Sequence, residues 1–311
     1  MLKAYSVKNG KLSQTKIDGT PSLKWIHLDS AKIGDFEKIK STNISKRDFK
    51  SCLDKQERSR IVSRDKYKLI LLKIPSEKTR KTATLGILLT NKSIMTIHGY
   101  TCPIILNIIN HPENISGTMN NIMLRIIHEV NRSFFEESDK LEQEISKIEE
   151  KLYLKSSKRV IKKLFETRQK LIFMVRAASG NRDVINNLNI NSALFKFNKV
   201  DKLELGELHS DQIQLVETMM IYRDILSNVV EIYNSNLAND MNKIIQRLTV
   251  VGSFILLPTL IASIYGMNFK PDTSMYNMPE LTWKYGYIFA LGLMFFSVVS
   301  TYSYFKVKRW V

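Results

Sequence analysis

The chain is poor in the residues that staple, export or chemically arm a protein. Only two cysteines, Cys52 and Cys102, occur in 311 residues, and they form no Cys-x-x-Cys pair. A disulfide framework and a thiolate zinc site are thereby excluded, and two reduced thiols in a cytosolic domain are expected. The five histidines, His27, His98, His111, His128 and His209, show no metal-ligand spacing, and no Gly-rich phosphate loop is present, so no enzyme signature emerges. Met1 to Lys16 is polar and basic without an apolar core, so no cleaved signal peptide is expected. The sequons at Asn114 and Asn131 fall in the same expected cytosolic region and should be silent.

Charge is not scarce: the formal net charge is +17. Residues 1–242 carry 40 basic and 28 acidic side chains, an excess of +12 spread over many segments. Without a basic stripe interleaved with aromatics, or a zinc-finger, RNA-recognition or helix-turn-helix pattern, nucleic acid is not an expected partner. A solvated surface that also faces anionic lipid head groups accounts for the excess.

Long apolar runs occur only at the end of the chain. Leu248 to Phe269 is an uncharged stretch of 22 residues, and Tyr285 to Phe305 a second of 21. Each exceeds the roughly 20 residues with which a helix crosses about 30 Å of hydrocarbon. Joined by a short loop, they form a membrane hairpin. Lys243 and Arg247 precede the first span and Lys306, Lys308 and Arg309 follow the second, whereas the loop balances Lys270 and Lys284 against Asp272 and Glu280. Positive-inside reasoning places both termini in the cytoplasm of a cell-membrane protein.

Ahead of the spans, residues 1–117 read as an α/β cytoplasmic domain. β-Branched runs recur at Leu2–Val7, Leu23–Leu28, Arg58–Arg64, Tyr67–Ile74, Thr82–Leu89 and Ser93–Ile97, with helical spacing over Ala31–Lys40 and Lys46–Leu53. Residues 118–200 change to long antiparallel helices, broken near Lys155–Lys158. The first has an acidic face that includes Glu137, Glu144 and Glu149, and the second a basic one with Lys162, Lys163 and Lys170. No Gly or Pro lies between Gly206 and Gly252, so a stalk helix over 201–247 continues into the first span at 248–268. An external loop (269–284), the second span (285–305) and a basic tail (306–311) complete the chain. The fold class is therefore an α+β cytoplasmic domain, a stalk helix and two C-terminal transmembrane helices.

Along the first span, Asn242, Ile245, Thr249 (or Leu248), Gly252, Leu256, Thr259, Ser263 and Gly266 recur at about 3.5 residues, and several are small or polar. A repeat near 3.5 implies supercoiling about an axis, and one hairpin has no axis to surround. The stripe is thus either a pore lining shared by several copies or a close-packing seam between membrane helices. Apolar Ile245, Leu248 and Leu256 suit gating by dewetting.

Tyr265-Gly266-Met267-Asn268-Phe269, then Met278-Pro279-Glu280-Leu281, Trp283 and Gly286-Tyr287, resembles the signature of the CorA-type magnesium channels. The resemblance is strongest over Asp201 to Val311. It implies a funnel-shaped homopentamer in the lipid bilayer that takes up Mg2+, with Co2+ and Ni2+ as further cargo, and no organic cofactor. It also implies a selectivity ring of Gly266, Met267 and Asn268, and acidic helices beside the stalk that concentrate cations. Mg2+ holds its waters in strict octahedral geometry, so the neutral oxygens of Asn268 and Gly266 can accept hydrogen bonds from the hydrated ion. Met267, a soft thioether, suits packing better. Glu280 is either a negative outer ring or a plain loop acid; the loop before it is longer than usual in the family. Gating in the family uses Mg2+ bound between cytoplasmic domains, which maps onto Glu207, with Asp211 or Asp54 as partners. Lys50 and Ser51 stand where relatives often carry acids. Two alternatives remain: a related zinc, cobalt or nickel transporter, and a membrane-anchored basic scaffold for anionic partners.

Overall fold

The structure, a computed structural model, describes residues 2–8, 11–15, 24–76, 81–111, 118–154, 158–268 and 276–310. It divides into two units, Met1–Val229 and Val230–Val311. Leu23, the sequon at Asn114, residues 155–157 of the interhelical break, Phe269, loop residues 270–275 and Val311 lie outside the described residues.

The first unit is built on a seven-stranded mixed sheet in the order β2-β1-β3-β7-β6-β5-β4. Its strands are β1 (Leu2–Lys8), β2 (Lys11–Thr15), β3 (Lys24–Leu28), β4 (Arg60–Ser63), β5 (Lys68–Ser76), β6 (Lys81–Leu89) and β7 (Ser93–Ile97). β3 and β7 pair in parallel; the other neighbours are antiparallel. β5 has six consecutive buried residues, Leu69 to Ile74, because it lies inside the sheet with both faces covered, and so reads as a continuous apolar run with Lys73 as its one polar member.

On one face, Leu28, Phe49, Cys52, Leu69, Leu71 and Ile97 belong to a single apolar core. Helix α1 (Lys46–Leu53) reaches it through an N-cap: Ser45 Oγ accepts from the Asp48 amide at 3.0 Å. It lies so close to β6 that a Cβ at Gly86 would fall 2.5 Å from Cys52 Sγ, which requires glycine there. The helix expected at Ala31–Lys40 is instead a 3-10 segment, Ile33–Thr42. Its apolar residues Ile33, Phe36 and Ile39 recur at every third position, the repeat that stacks side chains in a 3-10 turn. Helix α2 (Pro103–Asn110), with Pro103 in its first turn, packs on α3 (Met119–Leu154), which in turn packs on β5 and β7.

α4 (Lys158–Ile190) runs antiparallel to α3, and the opposite charges of the two helices meet. Lys163 Nζ lies 3.1 Å from Glu144, Thr167 donates to the same carboxylate at 3.2 Å, and Lys170 pairs with Glu137. Glu137 and Glu144 are therefore engaged within the arm, while Asp139 and Glu150 stay exposed.

One buried side chain fastens α4 to the sheet. Asn181 Oδ1 accepts from the Lys73 amide and from Ser59 Oγ, both at 2.8 Å, and its Nδ2 donates to the Lys73 carbonyl at 2.8 Å. It completes the backbone pairing of β5 as a neighbouring strand would, at zero exposure. Replacing Asn181 by Ala should destabilise this unit by roughly 2–4 kcal/mol, since an amide and a carbonyl lose their partners together. Denaturant titration of the purified protein checks this; a loss below about 0.5 kcal/mol would mean that water replaces the side chain.

α5 (Lys199–Tyr265) is a single helix of 67 residues, and the boundary between the units falls within it. Asn198 and Asp201 cap its start reciprocally: the Asp201 amide donates to Asn198 Oδ1 at 2.8 Å and the Asn198 amide to Asp201 Oδ2 at 3.0 Å. Asn131 of α3 donates to the Leu208 carbonyl at 3.3 Å and accepts from Gln212, tying the start of α5 to α3. The second unit contains the rest of α5, a 3-10 turn at Pro279–Thr282 and α6 (Gly286–Val307).

Candidate ion-conducting site

α5 ends where the motif begins. The Gly266 amide still donates to the Ala262 carbonyl at 2.9 Å, an α-helical bond, but the Met267 amide turns back to Ile264 at 3.2 Å. This tightened last turn leaves Asn268 beyond the helix. Gly266, Met267 and Asn268 are all exposed. The carbonyl end of a helix carries partial negative charge, so the motif sits where a cation is favoured.

The apolar stretches of α5 and α6 that are long enough to cross a membrane are almost uncovered in a single chain. Aromatic residues mark both ends of α6. Trp283, Tyr285 and Tyr287 are exposed at its start, and Tyr302, Tyr304 and Trp310 at its finish, beside Lys306, Lys308 and Arg309. Such belts form where a helix meets the two membrane–water interfaces.

The better covered positions toward the end of α5 are Val250, Ser253, Phe254, Pro258, Ile261 and Tyr265. They share the face on which Phe254 meets Phe305 of α6, at 6.4 Å between ring centroids. At about 100° per residue, Thr249, Gly252, Leu256, Thr259, Ser263 and Gly266 lie on the opposite face. They are exposed, as are Asn242, Ile245 and Leu248. α6 therefore occupies one side of α5 and leaves the small-and-polar stripe uncovered.

The motif that carries the resemblance also includes Tyr265, Met278 and Gly286, to which sequence reasoning gave no role. The Tyr265 hydroxyl donates to Glu280 Oε1 at 3.4 Å, holding the loop acid beside the end of α5. Met278 has φ 51°, which starts the turn, and the Leu281 amide closes onto the Met278 carbonyl at 3.1 Å. The turn finishes with Gly286, whose amide donates to the Trp283 carbonyl at 2.9 Å.

The acids assigned to a regulatory ion are spread out. Glu207 and Asp211 are exposed on α5. The Glu204 carboxyl, one turn before Glu207, is pushed up by burial and by the charges of Asp201 and Glu207, against His128 and Arg125, which lower it. Asp54 caps the end of α1; its Oδ1 accepts from the Gln56 amide at 2.8 Å and its carbonyl from Thr84 at 2.6 Å. It lines an open cleft with Lys46, Arg47, Lys50, Ser51 and Glu57, where cations outnumber acids. Among the described residues, Asp54, Glu207 and Asp211 do not gather into one ligand cluster within a chain.

Comparison with known proteins bears on the whole chain. Residues 21–309 match the family described as CorA-like Mg2+ transporter protein. The cobalt/magnesium transport protein CorA of Methanocaldococcus jannaschii is 27% identical over 320 residues, covering 98% of each chain. The magnesium transport protein CorA of Helicobacter pylori is 41% identical over 123 residues, 39% of this chain and 37% of the relative. The solved complete structure of the M. jannaschii CorA magnesium transporter superposes with a TM-score of 0.86 at 25% identity, covering 100% of this chain and 99% of that one. The fold is thus that of a full-length CorA, with a mixed-sheet N-terminal domain, a long helix and two C-terminal apolar helices. On this agreement of sequence and fold, the chain belongs to the CorA-like family of Mg2+ and Co2+ transporters.

Proposed function

We propose that the chain is a magnesium channel of the cell membrane, working as a homopentamer with both termini in the cytoplasm. Its cargo is hydrated Mg2+, with Co2+ and Ni2+ as further divalent ions. One observation carries the reading: the stripe from Ile245 to Gly266 lies on the face of α5 that α6 leaves open, and it ends at Asn268. Copies arranged about an axis would bring these stripes together as a lining and stack the Asn268 amides into a ring at its mouth. Lipid and neighbouring copies would cover the remaining apolar surface. The basic residues flanking both spans favour the cytoplasmic side.

In this arrangement the Asn268 oxygens and the Gly266 carbonyls receive hydrogen bonds from the ion's own water shell. The ion passes without the slow loss of its ligands. Ile245, Leu248 and Leu256 close the path by dewetting, and Thr249, Gly252, Thr259 and Ser263 leave it wide enough for hydrated cargo. Glu280, held by Tyr265, draws cations to the mouth. Intracellular Mg2+ gates the channel through Glu207, Asp211 and Asp54, contributed by adjacent copies. The bases beside Asp54 and the presence of Lys50 and Ser51 make this regulation weak, because an ion shifts an equilibrium only by its differential affinity for the two states.

The test is accessibility along α5. Single cysteines at Gly252, Leu256 and Thr259, in a background lacking Cys52 and Cys102, should be blocked by a small hydrophilic thiol reagent under flux. Cysteines at Ile255 and Leu260, on the flanks of the stripe, should not. Equal reaction at all five positions would remove the assigned register.

A further inference from the structure

The first unit contains a grouping that linear spacing does not reveal. His27 is the fourth residue of β3, and Asp29 lies two residues further on. In register, His27 pairs with Thr96 of the parallel strand β7, and His98 follows Thr96 by two. Side chains alternate along strands, so one sheet face receives His27 and Asp29 from one strand and Thr96 and His98 from the other. A ring nitrogen from each histidine and an oxygen from Asp29 all lie within 4.8 Å of one another. The two imidazole centroids are 5.0 Å apart.

The chemistry of this group is that of ligands rather than of packing. His98 is 0% and His27 1% exposed, and the Nε2 of each is buried without a hydrogen-bond partner. A lone polar atom in that position costs roughly 1–3 kcal/mol unless something binds it. The other nitrogen of each ring is held. His98 Nδ1 bonds the Tyr100 carbonyl, which can only accept, so the proton resides on Nδ1 and the buried Nε2 carries the lone pair; the same Nδ1 lies 3.7 Å from Asp29 Oδ1. His27 Nδ1 lies 3.0 Å from Thr96 Oγ1, which also accepts from Trp25 Nε1 at 3.2 Å. The Thr96 hydroxyl can donate to Nδ1 or accept from it; a metal on Nε2 selects the tautomer in which Nδ1 donates and Nε2 carries the lone pair. Metal-binding histidines are oriented in this way, with the second nitrogen donating to a protein oxygen. Burial lowers the pKa of both imidazoles, that of His27 to about 4, so both are neutral ligands at physiological pH. Lys3, opposite His27 on β1, opposes a second cation, and the Asp29 carboxylate compensates.

We infer that His27, Asp29 and His98 form a binding site for a borderline divalent transition ion of the zinc class, separate from the conduction path. Two imidazoles and one carboxylate suit Zn2+ or Co2+ and leave a fourth position for water. Mg2+, which demands oxygen ligands, is the wrong ion for them. Ligands around one tetrahedral ion at about 2.1 Å stand about 3.4 Å apart, so side-chain rotations that draw the three atoms together by about 1 Å complete the set. The Asp29 side chain, 26% exposed, provides the way in from solvent. An ion there clips β3 to β7 at the carboxyl ends of the sheet's parallel pair.

The experiment uses the full-length protein in detergent, stripped with chelator and then exposed to Zn2+ or Co2+ in millimolar Mg2+. After buffer exchange, elemental analysis should find one zinc per chain, with a raised melting temperature. Co2+ should give the intense visible absorption of a four-coordinate site with nitrogen ligands. Asp29→Asn, at the partly exposed position where folding is least at risk, should weaken zinc binding by at least about tenfold, and His98→Gln should abolish the cobalt spectrum. Wild-type protein that retains no zinc, or loses it to Mg2+, overturns the inference. Retention unchanged in both variants overturns it as well.

Discussion

Asn268→Ala should reduce Mg2+ flux into proteoliposomes to the level of empty vesicles while the protein still elutes as the assembled oligomer. The side chain lies beyond the last turn of α5, exposed, so its removal takes nothing from the core of the chain. On the proposed function, what disappears is a ring of neutral acceptors that can replace the outer hydration of the ion without stripping its first shell. A carboxylate there would hold the ion more tightly and release it slowly, so Asn268→Asp should bind divalent ions yet pass them poorly. Wild-type flux through Asn268→Ala would sink the assignment of selectivity to this ring.

Gly286→Ala should damage the loop between α5 and α6 more than loss of the Glu280 side chain does. A Cβ at Gly286 would fall 2.1 Å from the Glu280 carbonyl oxygen, a backbone atom that cannot swing aside. The same carbonyl accepts from the Trp283 amide at 3.3 Å, and the Gly286 amide donates to Trp283, so the turn moves as a unit. Displacing it costs roughly 1–3 kcal/mol and carries Glu280 away from Tyr265. Protease sensitivity of the loop should rise and flux fall in Gly286→Ala, whereas Glu280→Ala keeps the turn. If Glu280→Ala is equally harmful, the acid matters rather than the geometry of the turn.

Much of the architecture is legible in the residues because it is set by local periodicity. The spans are recognisable by length, and α5 by the lack of glycine and proline between Gly206 and Gly252. Strand β2 is not recognisable: Lys-Leu-Ser-Gln-Thr has one apolar residue, which is enough for an edge strand. Helix α2 is a short apolar run, and periodicity cannot separate such a run from a buried strand. The stripe on α5 is visible as a pattern, and α6 leaves it uncovered in a single chain. The grouping of His27, Asp29 and His98 is hidden for another reason. Its members meet only through the register of two parallel strands 69 residues apart in sequence, so the absence of short-range ligand spacing carried no information about it.

That parallel pairing also governs how the sheet assembles. β4 to β7 form a meander of sequential antiparallel neighbours, whose contacts close short loops. β3 can join β7 only by spanning the intervening segments, at a larger entropic cost. The meander should therefore form the folding nucleus, with β1 to β3 docking onto its β7 edge afterwards. Pulse-labelled hydrogen exchange during refolding should protect the amides of β5 and β6 before those of β3; simultaneous protection would show that the long-range pair forms in the same step.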